Sequence, residues 1–177
     1  MNAFQWTRRS GRGFSLVELV IVIVIIGIIA AIAIPRVSRG ARGAGESALR
    51  SDLATLRNAI ELYASEHNGV YPGTTTSGGV GDATLFTNHL LKYSDVNGNT
   101  SDTKDAAHPF GPYLRKQIPP LPVGSGTSRN SNTVKVADPL PTPDGATDGW
   151  LYNPKTGEII ANATDNDESG AKAYSEY

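Results

Sequence analysis

The alternation of hydrophobic and polar positions changes character twice along the chain. From Phe14 to Ile34 there is no charge except Glu18, and from Leu19 onward the run is only Leu, Val, Ile, Ala and a single Gly. With a rise of about 1.5 Å per residue, such a run forms a helix of roughly 30 Å, the thickness of a bilayer's hydrocarbon layer. Beyond Pro35 the apolar residues become a stripe. Leu49, Leu53, Leu56, Ile60 and Tyr63 recur every three or four positions, which predicts an amphipathic helix. Glu46 with Arg50 and Arg57 with Glu61 fall four apart on its solvated side and support it by only a few tenths of a kcal/mol each. Asn68-Gly69 offers a left-handed cap and Pro72 blocks continuation, so the helix is expected to stop near His67. A helix from Phe14 to about His67 is on the order of 80 Å long. Pro35 lacks a backbone donor, and Gly40, Gly43 and Gly45 add conformational entropy. A bend or a locally melted stretch is therefore expected from Ile34 to Gly45.

From Gly69 onward the pattern breaks into short pieces. "DATLFTNHLLKY" places Leu85, Phe86, Leu90 and Tyr93 at near-helical spacing behind the capping residue Asp82, predicting a short helix. "PFGPYLRKQIPPLPVG" is punctuated by proline and is expected to wrap the surface without regular structure. "TVKVAD", "GWLYN" and "EIIAN" are strand candidates, expected to be antiparallel, with "NPKTG" closing a hairpin between the last two. "GSGTSRNSN" reads as a polar loop. No internal repeat occurs. The predicted class is α+β: a long N-terminal helix packed on a small antiparallel sheet with loops.

Composition narrows the function. A chain of 177 residues suits one modest domain. A net charge of −1 leaves no basic footprint, so no nucleic acid partner is expected. Without cysteine there is no disulfide, thiol nucleophile or cysteine-bound zinc, and the compartment must be read from the N-terminus. There "MNAFQWTRRSGRG" carries Arg8, Arg9 and Arg12 and no acidic residue, like the positive flank of a targeting signal. Three readings compete. An ordinary signal peptide would use the small-x-small site Ala31-Ile32-Ala33, but its apolar core would be unusually long. A plain anchor leaves Glu18 as a needless cost. A cut between Gly13 and Phe14 instead creates an α-amino group that can neutralise Glu18 on a neighbouring copy.

"SGRGFSLVELVIVIVIIGIIAAIAIP" resembles the class III signal of type IV prepilins and type II secretion pseudopilins. The resemblance implies a pilin-like fold, cleavage after Gly13 by a prepilin peptidase, N-methylation of Phe14, Glu18 as the assembly glutamate and Pro35 as the helix break. It also implies a division into a leader 1–13, a transmembrane and assembly half 14–35, an amphipathic half 36–68, and a head 69–177 with a short helix, a C-terminal β-hairpin and an acidic tail. The implied partners are the chain itself in a helical homopolymer, the peptidase, an inner-membrane assembly platform and minor pseudopilins, with the membrane before assembly. The implied location is a single pass in a bacterial inner membrane with the head outside the cytoplasm, then a periplasmic or extracellular fibre. Arg36, Arg39 and Arg42 follow the apolar run, so flanking charge leaves orientation undecided and the resemblance alone supplies it.

"AIELYASEHNGVYP" is similar to the helix end and first loop of major pseudopilins, although "IPPLPVG" stands where that subfamily has Asp-Pro-Trp-Gly. Type IVa pilins usually close their C-terminal region with a disulfide, which this chain cannot form. The pseudopilus reading therefore leads. The alternatives are a type IV pilus pilin for adhesion, motility or DNA uptake and, more distantly, a membrane-anchored or secreted small binding domain.

Candidate chemistry is sparse. In "DNDESGAKAYSE", Asp165, Asp167, Ser169, Gly170 and Glu176 fall at the first, third, fifth, sixth and twelfth positions of a calcium loop. That spacing makes calcium the one cofactor to test, against a solvated acidic tail, and major pseudopilins bind calcium in their C-terminal loops. "DVNGNTSD" reads as a turn. His67, His89 and His108 stand apart in sequence, with no zinc-protease or nucleophile-elbow pattern. No enzyme is expected; His67 reads as a residue suited to a helix C-terminus, and Trp150 as core.

Overall fold

The stripe of Leu49, Leu53, Leu56, Ile60 and Tyr63 is the spine of the core, each residue no more than 1% exposed. These side chains lie on helix α1 (Leu16–Glu66) in a computed structural model that describes residues 13–177. The expected leader, with Arg8, Arg9 and Arg12, lies outside the described residues apart from Gly13. The chain divides into one unit ending at Gly40 and a second, Ala41–Tyr177. The helical pattern continues through Pro35 and the glycines, so the local melting expected between Ile34 and Gly45 does not occur. Proline removes a single donor, and the hydrogen bonds on either side propagate cooperatively.

Helix α1 ends as its sequence dictates. Asn68 and Gly69 adopt φ of 55° and 78°, and the Gly69 N–H donates to the Ala64 carbonyl at 2.8 Å, closing a left-handed C-cap that glycine enters without strain. Helix α2 (Ala83–Leu91) starts where Asp82 accepts from the Leu85 N–H at 2.8 Å and buries Phe86, His89 and Leu90. A small ladder, β1 (Tyr93–Ser94) against β2 (Thr100–Ser101), follows. Its turn is built on Asp95, whose carboxylate accepts from the Asn97 and Asn99 N–H groups.

Strands β3 (Val134–Val136), β4 (Trp150–Tyr152) and β5 (Ile159–Ala161) form the second sheet in that order. The β4–β5 hairpin is antiparallel, as expected, with Trp150 opposite Ala161. The β3–β4 pair is parallel, with Val134 opposite Trp150, which corrects the all-antiparallel expectation. Residues 137–149 are long enough for the crossover that a parallel pair requires. Central β4 is buried at Trp150, Leu151 and Tyr152 alike, as a strand covered on both faces is.

The proline-rich stretch is irregular, as predicted, yet it does more than wrap the surface. Leu114, Ile118, Leu121 and Val123 all enter the core, and the Pro119 carbonyl accepts from Trp150 Nε1 at 2.8 Å. Irregular backbone is tolerated there because partners remain: Leu121 exchanges bonds with Ser131 and Asn130 at 3.0 and 2.8 Å.

Candidate functional site at the N-terminal junction

Gly13, Phe14 and Ser15 precede the first turn of α1 and are exposed, Phe14 to 80%. A Cβ added at Gly13 would meet nothing within 4 Å. The described residues therefore make no steric demand for glycine at this position. Ser15 begins the helix: its carbonyl accepts from the Leu19 N–H at 3.1 Å. Its own N–H donates to Glu18 Oε2 at 3.3 Å. This is the glutamate half of a capping box, in which a residue three positions into the helix closes back on the cap. A carboxylate in the first turn also faces the positive end of the helix dipole. Sequence reasoning that sought only a partner in another copy missed this local role, although Ser-x-x-Glu ahead of an apolar run is its signature. Glu18 is thereby turned back toward the backbone nitrogens at the junction, where cleavage would create a cation.

From Leu16 to Ala33 the helix is long and apolar enough to cross a membrane, and none of that span is buried. Ile21, Ile25 and Ile29 are each more than half exposed. A core helix of a soluble domain is covered by its own fold; this one leaves its apolar side chains uncovered by the other described residues.

The C-terminal carboxylates are not gathered into a site. Asp165 accepts from the Ser125 N–H and Oγ, both at 2.8 Å, bonds that hold its carboxyl below the usual range. Asp167 accepts from Ser169 Oγ at 2.6 Å and Tyr177 Oη at 2.9 Å. Glu176 lies in a terminal 3-10 turn. Among the described residues no group of three or more His, Cys, Asp or Glu side chains is placed to hold a metal. The spacing of Asp165, Asp167, Ser169 and Glu176 fits a calcium loop in sequence, but the Asn166–Ala173 bridge folds the segment into a tight turn. Asp165 is turned instead toward the loop carrying Ser125.

His67 and His89 do not stand apart. Both are buried and stack on Tyr63, with ring centroids 3.7 and 5.0 Å away. His67 Nδ1 meets the Tyr63 carbonyl at 2.7 Å and Nε2 meets Ser94 Oγ at 3.0 Å. It pins the end of α1 to β1, a tertiary role in place of the helix-end role expected. His108 pairs instead with Asp105 at 2.9 Å. His89 Nδ1 receives the Gly73 N–H at 3.0 Å, so that nitrogen carries no proton, and burial pushes the imidazole pKa down to about 4. In the unfolded chain a histidine titrates near 6.5. Between those values the unfolded state binds a proton that the folded state refuses. Stability from this group is thus complete above about pH 6.5 and falls as pH drops toward 4, by on the order of 3 kcal/mol. Urea unfolding at stepped pH is expected to show this slope, and His89→Gln to flatten it between pH 6.5 and 5.

Residues 8–34 match the family model described as the prokaryotic N-terminal methylation motif. No curated protein and no solved structure matches the chain. The match covers the Gly13-Phe14 junction, Glu18 and the apolar span, and ends before the head. A motif of this type implies processing by a prepilin peptidase and polymerisation into fibres. The chain thus carries a prepilin-type class III signal ahead of an α+β head, which supports a type IV pilin-like protein.

Proposed function

We propose that this chain is a structural subunit of a type II secretion pseudopilus, cut between Gly13 and Phe14, N-methylated at Phe14 and held in the bacterial inner membrane until it polymerises. The observation that carries the reading is the uncovered membrane-length helix with its lone carboxylate, Glu18, in the first turn behind the junction. In this reading 1–13 is the leader, 14–35 the membrane and assembly segment, 36–68 the amphipathic half of the helix, and 69–177 the head on the far side of the membrane. Assembly would extract the apolar segment from lipid into a bundle of like segments, guided by an assembly platform and minor pseudopilins. Glu18 meets the α-amino group of Phe14 on an adjacent copy. Apart, the two charges are costly in hydrocarbon; paired, they largely offset each other. The apolar side chains supply cohesion but are too alike to set an axial register, which one polar contact can do.

Gly13 belongs to processing in this account, because nothing among the described residues requires it. Gly13→Leu is expected to leave the head's melting temperature unchanged and to stop cleavage. Mass spectrometry of the wild-type membrane protein is expected to show methylated Phe14 as the first residue. An N-terminus at Ile34 would overturn the reading, since the assembly segment would have been discarded as an ordinary signal peptide.

The absence of cysteine favours a pseudopilin over a type IVa pilin. Deleting the gene separates the two: a pseudopilin's loss stops export of secreted enzymes, whereas a pilin's loss removes adhesion, motility or DNA uptake and leaves export intact.

A further inference from the structure

We propose that the head binds a neutral saccharide in a cleft floored by Tyr63 and His67 and walled by residues 68–78 and the β1–β2 turn. The cleft measures about 360 Å3, within the roughly 300–1,000 Å3 typical of small-molecule sites. Among the described residues no carboxylate, lysine or arginine lines it. Beside it Asp95 is engaged by the Asn97 and Asn99 N–H groups and Lys155 by the Gly78 carbonyl, so a phosphate, an organic acid or a metal ion finds no free counter-charge on its walls.

The cleft instead presents hydrogen-bonding groups that the fold leaves unused. Two of its hydroxyls are engaged internally: Thr74 Oγ1 donates to the Pro154 carbonyl at 3.2 Å, and Thr75 Oγ1 to the Gly79 carbonyl at 3.3 Å. The Tyr63 and Thr76 hydroxyls and the side-chain amides of Asn68 and Asn97 line the same space and have no partner among the described residues. Tyr63 weighs most, because its ring is fixed in the core and holds the hydroxyl in place. His67 and His89 lie against its ring, so the hydroxyl is the group it has left to offer. Burial pushes its pKa up and keeps it a neutral donor and acceptor. A hydroxyl that meets the cleft without a protein partner bonds water there, and that water is displaced when a ligand supplies the same bonds.

The class of ligand follows from this lining. Uncharged groups that both donate and accept suit a molecule rich in hydroxyls and free of charge, while Val70 and Val96, each more than 40% exposed, offer small apolar contacts for the C–H faces of a sugar ring. The site is held from behind: His89 accepts the Gly73 N–H at the base of one wall. It lies wholly within Ala41–Tyr177 and does not depend on which fibre the chain builds.

The test is titration calorimetry, or ligand-observed NMR, on the full chain in a detergent without a sugar headgroup. The probes are a panel of neutral mono- and disaccharides, with glucuronate as the charged control. At least one neutral sugar is expected to bind at millimolar concentration or below, and glucuronate to bind at least tenfold more weakly, about one good hydrogen bond's difference. Tyr63→Phe keeps the ring stack and removes only the hydroxyl; it should weaken binding about tenfold with an unchanged melting temperature. Thr76→Val, at an exposed position, should also weaken it and gives the answer if Tyr63→Phe does not fold. No binding by any neutral sugar, equal binding of glucuronate, or wild-type binding by the variants would overturn the proposal.

Discussion

Glu18→Gln is expected to abolish fibres while leaving normal amounts of processed protein in the membrane. The substitution separates the two roles of this side chain. Glutamine keeps the shape and the carbonyl oxygen that accepts from the Ser15 N–H, so the start of α1 remains capped, at a cost of a few tenths of a kcal/mol from the lost charge at the dipole. What would disappear is the anion that, in the proposed assembly, neutralises the α-amino group of a neighbour. Removing one partner of a buried pair leaves the other uncompensated, a loss of about 3–5 kcal/mol, which lowers the association of each added subunit by more than about a hundredfold. The measurement is the yield of sheared fibres beside the N-terminal mass and abundance of the membrane-bound protein. Wild-type fibre levels would show that packing alone sets the register and that Glu18 serves only its own helix.

Asn162→Asp is expected to destabilise the head by roughly 3–5 kcal/mol, although the two side chains are nearly the same shape. The Asn162 side chain is 1% exposed. Its carbonyl accepts from the Asp144 and Gly145 N–H groups at 2.8 and 3.1 Å, and its amide donates to Asp144 Oδ1, the Ala146 carbonyl and the Asp148 carbonyl at 2.8, 3.0 and 2.9 Å. Those bonds shape the end of the crossover that brings the chain from β3 back to β4 in the parallel direction. A carboxylate would turn its second oxygen toward three acceptors, one of them the Asp144 carboxylate, with no donor between them. Chemical unfolding of the solubilised protein measures the effect. A change below about 1 kcal/mol would mean that the crossover keeps its course without this hub.

Both variants act on features that a sequence shows unequally. The stripe from Leu49 to Tyr63, the Asn68-Gly69 cap, the Asp82 cap and the "NPKTG" hairpin were legible because each depends on residues within a turn or two of one another. The Ser15-x-x-Glu18 box is equally local, since its donor and acceptor lie three positions apart. Asn162 could not be read from its neighbours, since the groups it holds lie 14 to 18 positions earlier. Nor could the stacking of His67 and His89 on Tyr63, because α2 must first fold back toward the end of α1 to bring His89 there.

By itself the sequence determined the membrane-length helix, the amphipathic continuation with its stop, and the positions of the short strands. Periodicity, capping and turn chemistry are short-range, and the energies that select them come from adjacent residues. Only the tertiary structure decided that β3 runs parallel to β4, that the proline-rich stretch sends Leu114, Ile118, Leu121 and Val123 inward, and that Asp165 turns toward Ser125 and away from Glu176. Those outcomes depend on which surfaces remain uncovered once α1 has laid down its apolar stripe, and on which distant donors reach a carboxylate first. Pairings of that kind are selected by the packing of the whole head, where burial of a continuous core outweighs the preference of any single segment.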